Sequence, residues 1–319
     1  MTGSSVNADP TNARTDNGTV KTGLMVAVAA YTLWGLFPIY LKLLTIVPPT
    51  ETIAHRVLWS VPFAAILLTF RRQWSDVWQA IRDKRTLLFL GAASLAISTN
   101  WLIYVWAVVN DQILEASLGY FINPLMYVAA GVFVFKERLR RPQLIAVAIA
   151  CVGVAILTIG SGTFPWIAIS LAALFTAYGY IRKTTNVGAL PGLFIEVCLL
   201  SPIAFLYLLL LASNGTMIFA DGVSNLTLTL MFAGPFTVIP LVLFALAARR
   251  LQMTTLGFLQ YIGPTIQFLI ALYFGEAFTK LHGVTFGLIW ISLIIFSLDA
   301  VRANRALPRR QMQASQKNA

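Results

Sequence analysis

The chain has 319 residues, 58% of them hydrophobic and only 11% charged, with a mean hydropathy of +0.77. So little charge excludes an ordinary soluble domain, in which about a quarter of residues are charged, and the uncharged stretches 86–109 and 143–159 exclude a soluble α/β barrel, whose outer helices need polar faces. A net charge of +11 would point a soluble protein toward nucleic acid; here its placement along the chain explains it without any nucleic-acid partner, as set out below.

Residues 1–22 are rich in Thr, Asn, Ser, Gly and Asp and read as a disordered tail with no apolar face to bury. The apolar run that follows is too long for a signal-peptide core and reaches Lys42 without a small-residue cleavage site, so it is the first span. A bilayer core of roughly 30 Å takes about 20 helical residues. Ten segments qualify: 23–44, 51–70, 86–109, 113–135, 142–159, 164–181, 190–211, 227–248, 254–275 and 281–299. Residues 301–319 form a basic tail. The expected partners are the lipid bilayer and a small-molecule solute.

Threading ten spans sorts the connections into two sets. One set, which includes both tails, holds Arg14, Lys21, the basic residues of 71–85 and 136–141, Arg182, Lys183, Arg249, Arg250 and those of the C-terminus. That leaves only Lys42, Arg56 and Lys280 of the 23 cations. By the positive-inside rule the rich face is cytoplasmic, both termini are inside, and the net charge is a topology signal.

The two halves also resemble each other. Ser117-Leu118-Gly119-Tyr120 with Pro124 and Glu137 is answered by Thr255-Leu256-Gly257-Phe258 with Pro264 and Glu276. Trp34-Gly35 is answered by Tyr178-Gly179, and Ala107 by Ala247, in one order and at nearly one offset. Five spans per unit is an odd number, so the second unit enters the bilayer from the opposite face. The fold class expected is therefore an all-α polytopic membrane protein, with ten transmembrane helices as two inverted five-helix repeats at 23–160 and 161–300. Such repeats build transporters with a binding site near the midplane.

Charges inside a span cost several kcal/mol unless paired, hydrated or snorkelling, so each one needs a reason. Lys42, within a turn of the end of span 1, either snorkels or meets a solute or counter-ion. Glu51, His55 and Trp59 recur every four residues on one face of span 2, with Arg56 and Ser60 beside them. Arg56 is expected to pair with Glu51 or Glu115, or to contact solute. His55 is read as a packing or hydrogen-bonding residue, with titration near neutral pH as the alternative. Glu115, Gly119 and Asn123 share a face of span 4, and Asn123 precedes Pro124, so its amide serves freed backbone groups or a solute. Asn100 in span 3 is equally open, with Tyr104 on the same face.

Glu196 in span 7 is the candidate proton-coupled carboxylate, with a salt bridge to Arg182 or Lys183 as the alternative. Gln260 and Tyr261 before Pro264 are the repeat counterparts of the span-4 site. Glu137 and Glu276, at the ends of spans 4 and 9, read as parts of helix end-caps and salt bridges. Trp34, Tyr40, Trp59, Trp101 and Tyr104 suit an organic solute or an interfacial belt. Cys151 and Cys198 lie in apolar runs and read as small buried thiols. Pro38, Pro62, Pro124, Pro202, Pro235, Pro240 and Pro264 fall inside spans, where kinks are expected.

Several runs together resemble a known family: Tyr31-Thr32-Leu33-Trp34-Gly35 with Pro38, Tyr40 and Lys42; Glu51 with His55-Arg56 and Trp59-Ser60; Asn100-Trp101 and Trp106-Ala107; and, most specific, Glu115 through Leu125 including Tyr120 and Asn123. Glu137-Arg138-Leu139-Arg140, Tyr178-Gly179, Glu196, Pro240-Leu241 and Gln260-Tyr261 with Pro264 extend the match through all ten spans. The chain resembles the RarD type of permease in the EamA family of the drug/metabolite transporter superfamily. That resemblance implies a ten-helix fold with a central solute pathway, an inner-membrane location, and export of small solutes or drugs, chloramphenicol being the name attached to the group. An enzyme is not expected: there is no HExxH, His55 and His282 are far apart, and no P-loop is present. No cofactor or metal is expected. A passive channel or a lipid flippase is the competing function.

Overall fold

The computed structural model describes residues 10–135, 140–219, 224–248, 250–251 and 259–317, and among these all regular structure is helical. The helices are α1 (Pro10–Lys42), α2 (Pro49–Arg71), α3 (Trp74–Arg82), α4 (Lys84–Val109), α5 (Ile113–Phe135), α6 (Arg141–Ser161), α7 (Trp166–Thr184), α8 (Ala189–Ser213), α9 (Ser224–Ala248), α10 (Ile262–Tyr273) and α11 (Lys280–Lys317). Seven of them are long and apolar enough to cross a membrane, while α10 and the apolar part of α7 are shorter.

Their limits follow from local chemistry. Pro48 and Pro49 start α2, since proline lacks only a donor that the first turn leaves free. Asp83 starts α4 by accepting the N–H groups of Arg85 and Thr86. Gly162, with φ +67°, ends α6 in the left-handed conformation that glycine adopts without strain.

Helix α1 begins at Pro10, inside the stretch read as a disordered tail, and α11 runs through the basic C-terminal segment to Lys317. Both lengthen an existing apolar helix, and propagation adds a hydrogen bond per residue without a new nucleus. The connection 71–85 contains α3, an amphipathic helix with Val77 and Ala80 buried and Trp78 exposed. Its Trp74 indole donates to Thr69 Oγ1 at 3.0 Å and meets Phe194 edge-on.

The outward faces are apolar: Phe70, Ile159 and Tyr273 are each more than 80% exposed. In water such a belt would drive aggregation, whereas in lipid it is the solvated surface. Polar groups turn inward instead, and Glu51, Arg56, Asn100, Asn123, Glu196 and Gln267 are all buried. Cys198 is half-buried, but Cys151 faces outward, against the expectation of a buried thiol; both are free.

Helices pack mostly across the sequence midpoint: α1 with α9 and α10, α2 with α8 and α9, α4 with α7 and α8, α5 with α7 and α10, and α6 with α11. Glycines set the closest crossings. A Cβ on Gly119 would lie 2.8 Å from the Ala168 carbonyl oxygen, and one on Gly234 would strike the backbone of Trp59 and Ser60. Hydroxyls reinforce the contacts, with Ser292 and Thr285 of α11 donating to the carbonyls of Ala146 and Gly153 on α6.

Candidate functional site

Arg56 forms the centre of a buried cluster. It is 7% exposed, and its guanidinium lies 4.0 Å from the ring centroid of Trp101 and 4.8 Å from that of Phe37. Its Nε donates to Thr237 Oγ1 at 2.7 Å. These partners come from α1, α4 and α9 around the α2 residue, so the cation sits where four helices meet. Among the described residues no carboxylate reaches it, and neither Nη donates to a protein group. The expected pairing with Glu51 or Glu115 is therefore replaced by aromatic faces. A cation–π contact is worth about 2 kcal/mol or more when desolvated, and two of them match the roughly 3 kcal/mol that a mid-membrane Arg costs on insertion scales.

The surrounding rings form a continuous surface. Phe37 stacks on Tyr40 at 5.4 Å and on Tyr104 at 6.2 Å, Tyr40 stacks on Phe236 at 4.6 Å, and Tyr104 meets Tyr120 edge-on at 5.6 Å. The Tyr40 hydroxyl donates to the Thr229 carbonyl, while the buried Tyr104 hydroxyl has no partner among the described residues. Asn100 donates to the Leu171 carbonyl at 3.0 Å and so bolts α4 to α7, with the Tyr120 hydroxyl 3.5 Å from its Oδ1. Of the residues singled out in sequence, Tyr40, Arg56, Asn100, Trp101, Tyr104 and Tyr120 come together here. Phe37, Thr237 and Phe236 were missed, because a Phe or Thr in an apolar run carries no signal until the packing is known.

The remaining candidates lie elsewhere. Glu51 Oε1 accepts the backbone N–H groups of Ile218 and Phe219, tying α2 to the loop before α9, and His55 stacks on Phe219 at 4.5 Å. Trp59 borders the same ring. Lys42 pairs with Asp111, the counter-ion alternative of its reading. Glu276 accepts N–H groups of Ile113 and Leu114 at 2.7 Å each, capping α5 from the loop after α10, as its end-cap reading anticipated. Glu115 is half-buried and close enough to Glu276 for their charges to interact. These ties all gather at one end of the bundle.

Trp34 packs with Tyr31 and Phe244, and its carbonyl accepts from Gln267. Tyr261 stacks on Phe121, and Gln260 is half-buried at the turn before α10. The Oδ1 of buried Asn123 has no partner among the described residues. Toward the other end, Glu196 Oε1 lies 3.5 Å from Arg182 Nε and its Oε2 accepts from the Tyr178 hydroxyl at 3.3 Å. Glu137 and the Thr255-Leu256-Gly257-Phe258 run lie outside the described residues.

A lipid-belted helical bundle with a cation and aromatic faces enclosed between its helices has the build of a membrane permease. The EamA-like transporter family matches residues 21–159. An uncharacterized transporter of Vibrio cholerae is 43% identical, covering 92% of this chain and 98% of that protein. Protein RarD of Escherichia coli K12 is 42% identical, covering 89% of this chain and 96% of its own. A solved crystal structure shares the fold at a TM-score of 0.58 and 19% identity, over 88% of this chain and 97% of that one. The chain belongs to the EamA-like transporter family as a RarD-type permease, a multi-pass protein of the bacterial inner membrane.

Proposed function

We propose that the protein is a secondary transporter that exports a small organic solute by alternating access, through ten spans arranged as two inverted five-helix halves at 23–160 and 161–300. The pathway runs past Arg56, Tyr40, Asn100, Tyr104, Tyr120 and Asn123, and both termini are cytoplasmic. The observation that carries this reading is Arg56, a buried cation with no protein counter-charge among the described residues, held by helices from both halves.

The packing supports the inverted arrangement. Numbering the spans from α1 and leaving out α3, exchange of each span with the one five places on turns the α1–α9 contact into α4–α7. It likewise turns α1–α10 into α5–α7 and α2–α9 into α4–α8, and all of these contacts occur. The pairs α2–α8, α5–α10 and α6–α11 map onto themselves. On this topology the end tied by Lys42–Asp111, Glu51 and Glu276 is extracytoplasmic and closed by those bonds. Glu196, with Arg182 and Tyr178, lies on the cytoplasmic side and is the candidate proton carrier.

Solute counterflow in proteoliposomes, run across a library of small metabolites, tests the reading. A moving solute whose rate falls in both Arg56→Ala and Asn123→Ala supports it; unchanged rates in both variants would remove these residues from the pathway.

A further inference from the structure

We infer that the transported solute is an organic monoanion, a carboxylate on a planar apolar body, whose carboxylate is held by the two free Nη groups of Arg56 and by the Tyr104 hydroxyl. This rests on the transporter reading above and names the chemistry of its cargo.

The faces of Phe37 and Trp101 offset the charge of Arg56 but offer no hydrogen-bond acceptor. Its Nε is satisfied by Thr237, which leaves the Nη pair, and a planar guanidinium fork matches the two oxygens of a carboxylate. Tyr104 adds a buried donor without a partner among the described residues, and its ring and the guanidinium both border Phe37. A cationic solute would be repelled by the guanidinium, since among the described residues no carboxylate reaches it to offset a second positive charge. A neutral solute would leave the guanidinium without a counter-charge. A dianionic phosphate would leave net negative charge in an apolar cage, whereas a monoanion closes the site as a neutral pair. The stacked surface of Phe37, Tyr40 and Phe236 then accepts a flat organic body in preference to a bare inorganic ion.

The full-length protein in detergent can be titrated with benzoate, phenylacetate and 2-naphthoate, with benzamide and benzylamine as neutral and cationic counterparts and chloride as the inorganic anion. A ligand that binds only the folded state raises its thermal midpoint. The carboxylates are expected to raise it and the three controls are not. Arg56→Gln is expected to weaken carboxylate binding about ten- to hundredfold, the scale of a lost charge-assisted hydrogen bond. Arg56→Lys keeps the charge and loses less. Tyr104→Phe keeps the ring and weakens binding severalfold, and so tests the site even if position 56 tolerates no substitution.

Equal responses to benzoate and benzamide, an Arg56→Gln variant that binds carboxylate like the wild type, or no response to any carboxylate would each overturn the assignment. Counterflow separates it from the reading it rests on. Movement of a neutral or cationic solute that Arg56→Gln leaves unchanged overturns the anion site and leaves a transporter. Carboxylate binding without counterflow of any solute upholds the site and removes the transporter.

Discussion

Arg56 Nε and Thr237 Oγ1 meet at 2.7 Å from positions 181 residues apart, joining α2 to α9 by a hydrogen bond between buried side chains. The same hydroxyl donates to the Ala233 carbonyl one turn back, so its proton is committed and its lone pair faces Arg56. The threonine thereby fixes which edge of the guanidinium points at the rings and which is free. Thr237→Val keeps the shape and removes the acceptor. Solute counterflow is expected to fall about tenfold, in keeping with a hydrogen bond to a charged group of about 1.5–3 kcal/mol. Thr237→Ser is expected to retain most of the rate, and a valine variant as fast as the wild type would show that the bond does not orient Arg56.

Helix spacing gives a second prediction. Gly234 lies against the Trp59 carbonyl and the Ser60 nitrogen, so an added methyl meets backbone that cannot rotate aside. Gly234→Ala is expected to lower the thermal midpoint of the purified protein sharply, because α2 and α9 must separate. Gly91, also helical, has nothing within 4 Å of an added Cβ. Gly91→Ala is expected to be neutral or to stabilise by up to about 1 kcal/mol, the helix-propensity difference. Equal loss in both variants would mean that propensity, not the crossing, decides.

Much of this was legible in the sequence because bilayer solvation leaves large marks. Helix α5 spans the residues that hydropathy assigns to span 4, and of the polar residues flagged for lying inside spans Glu51, His55, Arg56, Asn100, Asn123 and Glu196 are buried. Glu276 was readable as an end-cap from its place after a span, though not the helix that it caps, since α5 is distant in sequence. The partner of Arg56 was misread for the same reason. Side-chain spacing along one helix suggests neighbours on that helix, whereas the actual neighbours come from three others, and aromatic faces compete with carboxylates only after packing brings them together. Helix α3 was invisible to a search for spans because its apolar face is only one stripe wide.

The trans-cap at Glu276 supports a third prediction. Two N–H groups at the start of α5 have this carboxylate as their acceptor. Glu276→Ala is expected to destabilise the purified protein by about 0.5–2 kcal/mol, the range for a lost N-cap. Glu276→Gln keeps an acceptor oxygen and loses the charge that favours the helix dipole, a smaller effect of about 0.3–1 kcal/mol. Thermal unfolding of the three proteins gives the order directly, and a glutamine variant as unstable as the alanine variant would place the stabilisation in the charge alone.

Topology can be checked without a solute. In a background lacking Cys151 and Cys198, single cysteines at Ser75, before the end of the α2–α4 connection, and at Asn214, after α8, lie on opposite faces of the proposed arrangement. A membrane-impermeant maleimide applied to intact cells is expected to label Asn214→Cys and spare Ser75→Cys until the membrane is opened. The reverse pattern would invert both the orientation and the cytoplasmic placement of Glu196.

Glu196 supplies the last prediction, on energy coupling. Its carboxylate is buried on α8, faces the Arg182 guanidinium at 3.5 Å and accepts from the Tyr178 hydroxyl. Gly192, one turn earlier, leaves the space that this guanidinium fills, since a Cβ there would overlap its nitrogens. On the proton-coupling reading, this carboxylate alternates between an ionised setting paired with Arg182 and a protonated one that leaves the arginine to the carbonyls of Gly188 and Ala189, which its Nη2 already reaches. If the exchange between these settings couples solute to protons, an imposed pH gradient changes the wild-type counterflow rate, and Glu196→Gln, fixed in the uncharged setting, removes that dependence while solute still binds. A wild-type rate indifferent to the gradient would assign Glu196 and Arg182 to holding α7 against α8, and the driving force would then have to come from another ion or from the solute gradient itself.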